Sequence, residues 1–152
     1  MNRKAIIAAG ALTALAAAAP AGATLGEPLA SVASTRSALR AVSIKTAQRA
    51  GYRVHESTLA SGTVVREYTD ASGLVFAVSW QGPFQPNLKA LLGSHFQRLQ
   101  AAGRQPHPDR RRLAVREPGL VIESAGRMRA LRGLAYLPEQ TPAGFSFQED
   151  VQ

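Results

Sequence analysis

Three histidines, His55, His95 and His107, are the only imidazoles in the chain, and there is no cysteine. A zinc site or an imidazole base would have to be built on these three, because imidazole and thiolate are the usual ligands of such centres. His55-Glu56 begins like the H-E-x-x-H motif of zinc hydrolases. The position four residues after His55 is Leu59, however, so the second ligand is missing. His95 adjoins Phe96 in an apolar-patterned helix, and His107 lies between Pro106 and Pro108. No spacing sets two of them on one face of a regular element. The residues specify no metal site and no cofactor.

Nucleophilic chemistry has equally thin support. Ser94 and His95 are neighbours, but adjacent helical residues point in different directions. The G-x-S-x-G elbow is absent, and Ser61, Ser72 and Ser79 fit turns or a strand face. Glu56 and Glu67 fall on neighbouring expected strands, where a facing pair could act as acid and base on a glycan. Arg53 and Arg66 offer the plainer outcome, in which each carboxylate makes a cross-strand ion pair. Gly26, Gly62 and Gly73 are isolated turn glycines rather than a phosphate cradle. No catalytic residue is assigned.

Binding chemistry is better represented. Arg110, Arg111 and Arg112 form a run, and Arg127 and Arg129 share a strand face by period two, with Arg132 expected on the other face. Guanidinium groups clustered in this way suit phosphate or carboxylate groups, which they hold by paired hydrogen bonds. Asp109, Glu117 and Glu123 are interspersed, so a solvated charged surface is the alternative. Trp80-Gln81-Gly82-Pro83-Phe84 combines two aromatics with Gly and Pro, a rigid loop suited to a peptide or sugar. The alternative is that Trp80 completes the core face of its strand.

The elements that must carry these residues follow from periodicity. Leu29 to Gln48 reads as a helix with an incomplete apolar face at Leu29, Val32, Leu39 and Val42, stopped by Gly51. Three strands follow at Tyr52–Leu59, Thr63–Thr69 and Leu74–Gln81, separated by turns at 60–62 and 70–73. In the third, Leu74, Phe76, Val78 and Trp80 are expected on one face. The short links require an antiparallel meander. A second helix starts at Asn87, an N-cap residue, and runs to Gly103 with Leu88, Leu91, Leu92, Phe96 and Leu99 on one face. Strands at Leu113–Glu117, Leu120–Ala125 and Met128–Leu137 come next. Pro138–Gln152 reads as a loosely ordered tail that Phe145, Phe147 and Val151 could pin. The expected fold is α+β: an antiparallel sheet of about six strands in two meanders, covered by two helices on one face.

Residues 1–23 supply an address. A basic start at Arg3-Lys4, an uncharged apolar run from Ala5 to Ala19, and Ala21-Gly22-Ala23 make the pattern of a cleaved secretory signal peptide. The run is shorter than the ~20 apolar residues of a membrane span, so the mature chain is expected to hold no transmembrane helix. With no cysteine, an exported domain of residues 24–137 must rest on its apolar core rather than on disulfides. Loss of Arg3 and Lys4 reduces the formal charge from +8 to +6. A basic exported protein is drawn to anionic lipids, lipopolysaccharide phosphates or acidic glycans, and the compartment makes nucleic acid an unexpected partner.

The stretches Leu59–Tyr68, Gly73–Pro83 and Leu91–Phe96, with Glu123–Arg129 and the Pro138, Pro142-Ala143-Gly144 segment, resemble a family of small exported proteobacterial proteins. That family is known only as domain-of-unknown-function family 2844. The resemblance spans nearly the whole mature chain, with Trp80-Gln81-Gly82-Pro83 its most specific part. It implies export and one fold unit, and it carries no activity, cofactor or site residue. The expected function is a non-enzymatic binding or assembly module of the bacterial envelope, periplasmic or secreted, with an envelope protein, glycan or anionic surface as partner. A glycan or peptide hydrolase and an anionic-surface binder are the alternatives.

Overall fold

The computed structural model describes residues 25–28, 30–106 and 111–147. The expected signal peptide, His107, Arg110 and Val151 lie outside them. The elements are α1 (Ala30–Leu39), β1 (Ala41–Arg49), β2 (Tyr52–Leu59), β3 (Val64–Thr69), β4 (Val75–Gly82), α2 (Leu88–Leu92), a 3₁₀ turn (Gly93–His95), α3 (Phe96–Gly103), β5 (Arg112–Glu117), β6 (Leu120–Arg127), β7 (Ala130–Tyr136) and a second 3₁₀ turn (Pro138–Gln140).

The seven strands form one antiparallel sheet in the order β1-β2-β3-β4-β7-β6-β5. The sheet thus has one strand more than the six expected. The additional strand is β1, which the sequence pattern assigns to the first helix. Arg40 adopts a left-handed φ of 54° and ends α1 after Leu39. Val42, Ile44 and Thr46 then alternate, and β-branched side chains at every second position favour a pleated strand over continued helix. The second expected helix is also divided. Asn87 Oδ1 accepts the Ala90 amide at 3.1 Å, but Gly93 at φ 53° interrupts the run and α3 restarts at Phe96.

Strands β1–β4 run as a meander. The chain then passes through α2 and α3 to the far edge and returns through β5 and β6, so that β7 closes beside β4. Leu39, Leu88, Leu91, Leu92 and Leu99 from the helices share one core with Val65, Val78, Trp80, Val115, Ile122 and Ala135 from the sheet. The opposite sheet face holds a second, aromatic cluster of Tyr52, Val54, Tyr68, Phe76 and Ala77, against which Tyr136, Phe145 and Phe147 pack.

A β-bulge divides the residues of β4 between these two clusters. Tyr68 pairs with Ala77 and Thr69 with Val75, leaving Phe76 as the extra residue. Val78 and Trp80 face the helices as expected, but Phe76 turns to the aromatic face and Val75 takes its place in the helix-side core. Strict alternation fails because one inserted residue reverses the faces beyond it.

Candidate functional site

The register separates the two carboxylates that could have formed an acid–base pair. Glu56 pairs with Arg66 and His55 with Glu67, so Glu56 and Glu67 point to opposite faces. Arg66 Nε donates to Glu56 Oε2 at 2.9 Å on the open face. Arg53 instead donates to Gln48 Oε1 at 3.0 Å.

Glu67 lies on the helix side, 1 % exposed, beside His55, Ser57 and Thr69, all buried. His55 Nδ1 is 3.2 Å from Thr46 Oγ1, and its Nε2 is 3.4 Å from Thr69 Oγ1. Two hydroxyl partners suit a neutral ring, which donates from one nitrogen and accepts at the other. Burial, with the Arg36 and Arg53 guanidinium groups, pushes the His55 imidazole below its ordinary value. Glu67, His55, Ser57 and Thr69 are closed from solvent, and the contacts of His55 with Thr46 and Thr69 link β1, β2 and β3. His95, in the 3₁₀ turn, is likewise pushed down by burial and by Arg98. Ser94 beside it is exposed. Among the described residues no group of three or more His, Cys, Asp or Glu could hold a metal ion.

Of the two aromatics in the expected recognition loop, only Phe84 reaches the surface, at 58 % exposure. Trp80 is 2 % exposed and faces the helices over Gly133. Thr63 Oγ1 donates to the Phe84 carbonyl at 2.7 Å and fixes the loop to the β2–β3 turn.

The arginines separate by position in the sheet. Met128 and Arg129 form the β6–β7 turn rather than the start of a strand, and Arg129 takes a left-handed φ of 63°. Arg127 and Arg129 therefore do not share a strand face. Arg132, expected on the other side, lies opposite Ala125, which also pairs with Arg112, so Arg112 and Arg132 share the open face. Arg112 and Arg116 both bond Glu123, at 3.3 and 2.5 Å. The Arg116 bond, then burial working against it, then the Arg112 bond set the Glu123 carboxyl below its usual range.

One end of the sheet gathers a basic surface. It is formed by 40–43, the β2–β3 turn, the loop 82–87, Arg111-Arg112 and the hairpin 125–132. These segments carry Arg40, Arg111, Arg112, Arg127, Arg129 and Arg132 and no carboxylate. The opposite end mixes Glu27, Asp70, Glu117 and Glu139 with Arg49, Arg53 and Arg116. A shallow depression lined by Arg111, Gly126, Arg127 and Met128 lies within the basic end. Arg40, Arg132 and Met128 enter this surface through the strand order and the hairpin tip. The G-R-M-R run is the local signal for it, once Met128 and Arg129 are read as the turn.

The chain belongs to the family described as a protein of unknown function (DUF2844), which matches residues 21–150. No curated protein and no solved structure matches it. No helix among the described residues is long and apolar enough to cross a membrane.

Proposed function

We propose that this protein is an exported, non-enzymatic binding module of the bacterial envelope that holds a polyanionic partner at the basic end of its sheet. The observation that carries this reading is the charge segregation along the strands. Among the described residues, six arginines and no carboxylate lie at one end, whereas at the other Glu27, Asp70, Glu117 and Glu139 offset Arg49, Arg53 and Arg116. Like charges gathered on one surface raise the local potential and steer anions to it, whereas a mixed surface cancels itself. Arg40, Arg127, Arg129 and Arg132 make no ion pair among the described residues, so their guanidinium groups remain available to phosphate or carboxylate oxygens. The signal-peptide pattern of residues 1–23 supports export.

Two measurements test the two halves of the proposal. Cell fractionation should find the chain in the periplasm or medium, shortened by about 23 residues, and a full-length cytoplasmic product would overturn export. Inorganic polyphosphate should bind the processed protein with an affinity that falls steeply with added salt. The triple variant Arg127→Glu, Arg129→Glu, Arg132→Glu should lose that binding while keeping a cooperative thermal transition. Undiminished binding by the folded triple variant would overturn the assignment to this surface.

A further inference from the structure

The basic end is also where the exposed apolar side chains collect. Of the large hydrophobic residues exposed on the described surface, Val42 (68 %), Phe84 (58 %) and Met128 (93 %) belong to this end, and Ile44 follows on the same edge strand. Each projects from a different segment. Val42 sits at the irregularity between Ala41 and Ser43, Phe84 in the loop after β4, and Met128 at the tip of the β6–β7 hairpin. The hairpin carries Met128 two residues beyond the last β4–β7 pair, Gly82 with Leu131. Met128 is flanked by Arg127 and Arg129. The backbone at the tip is built for a tight reversal. At Gly126, with φ 154°, a Cβ would meet the Ala130 carbonyl oxygen at 2.5 Å.

A soluble polyanion interacts with the arginines but offers nothing to these three side chains. An anionic lipid surface satisfies both sets. Headgroup phosphates engage the guanidinium groups while apolar side chains enter the acyl boundary. The apolar residues stand on separate segments, and the depression lined by Arg111, Gly126, Arg127 and Met128 is shallow, whereas a small-molecule ligand calls for an enclosed, mostly apolar pocket. We infer that the protein docks end-on to anionic lipid bilayers, with the Arg127-Met128-Arg129 hairpin tip inserted among the headgroups. This inference deepens the polyanion-binding proposal and rests on it.

The absence of cysteine makes the test direct, because Met128→Cys provides a single labelling position for a polarity-sensitive fluorophore. The processed protein, recovered after export and so without residues 1–23, is mixed with vesicles of phosphatidylcholine alone or with phosphatidylglycerol added. The labelled tip should shift to the blue only on the vesicles containing phosphatidylglycerol. In unlabelled protein, Met128→Ser should weaken vesicle binding roughly tenfold, the effect of withholding one large apolar side chain from the acyl boundary. The same substitution should leave polyphosphate binding unchanged. Arg127→Gln and Arg129→Gln should each weaken both, by roughly fivefold on vesicles. Binding of polyphosphate without vesicle binding, or vesicle binding with no change at the labelled tip, would overturn the lipid inference and leave polyanion binding standing. Failure to bind either probe would overturn both.

Discussion

Trp80 occupies the space that a side chain at Gly133 would fill. The two residues pair across β4 and β7, and a Cβ built on Gly133 would collide with the indole ring and approach the Glu123 carbonyl oxygen at 2.8 Å. β4 and β7 are the strands that join the two meanders, so this contact closes the sheet. Trp80→Ala should lower stability by about 3–5 kcal/mol, as large truncations in packed cores do. Gly133→Ala should cost about 1–3 kcal/mol through overpacking. The double variant should be less destabilised than the sum, because removing the ring vacates the space that the new methyl needs. Urea melts of the four proteins measure that coupling, and additive losses would refute the steric account.

The sequence pattern located most of the sheet because its strands carry β-branched and aromatic residues between Gly-containing turns, as in Tyr52–Leu59 around Gly51 and Gly62. Three features were not legible, each for a local reason. Arg40 in a left-handed conformation ends α1 where no glycine marks a stop. The bulge at Phe76 leaves no compositional trace, since Val75 and Phe76 are both apolar and can exchange faces. The far-edge placement of β5, which leaves β7 to pair with β4, depends on the crossover through α2 and α3. A chain order of helices and strands does not contain that information.

Buried His55 and partly buried His95 contribute to the acid limb of the stability curve. His55 and His95 both have folded pKa values below the ordinary histidine value of 6.5. The unfolded chain therefore binds protons that the folded chain refuses as pH falls below about 6.5. Their contribution is complete above that value and is lost as pH falls through the folded pKa. Urea midpoints should be flat around neutrality and decline toward pH ~5, and His55→Gln should flatten part of that decline. An unchanged slope in His55→Gln would show that the ring titrates normally in the fold.

Glu56 and Glu67 are adjacent-strand carboxylates with unlike surroundings, and their truncations should separate widely. Glu56→Ala removes a partly exposed pair with Arg66 and should cost less than about 1 kcal/mol. Glu67 is 1 % exposed on the helix side of the sheet, so Glu67→Ala opens a cavity beside His55, Ser57 and Thr69. It should cost at least about 2 kcal/mol. Equal losses in thermal melts would contradict the register that places the two on opposite faces.

The described part of the tail should act as a strap on the open face. Phe145 makes edge-on contacts with Tyr52, Tyr68 and Phe76 at centroid separations of 5.2, 5.2 and 4.9 Å. Phe147 continues the cluster to Tyr136 at 5.4 Å. Phe145→Ala should destabilise the fold by about 2–4 kcal/mol, less than a wholly enclosed ring because Phe145 keeps partial exposure. Hydrogen exchange should then accelerate at Tyr68 and Ala77 beneath the strap more than at Ile122 and Ala135 on the helix side. Uniform acceleration across both faces would mean that the strap supports the whole sheet rather than its own cluster.

Arg129 holds two roles that one substitution can separate. Its φ of 63° is disfavoured for any residue with a Cβ, and its side chain extends the basic end of the sheet. Arg129→Gly removes the backbone penalty of about 1 kcal/mol and should raise the melting temperature slightly. The same change removes a cation from the hairpin tip, so polyphosphate affinity should fall. A protein that gains stability while losing anion affinity would show that the arginine is kept in an unfavourable conformation for what it contacts, not for the turn. If Arg129→Gly instead lowered the melting temperature, the side chain would be contributing to the fold, and its place in the anion surface would lose this support.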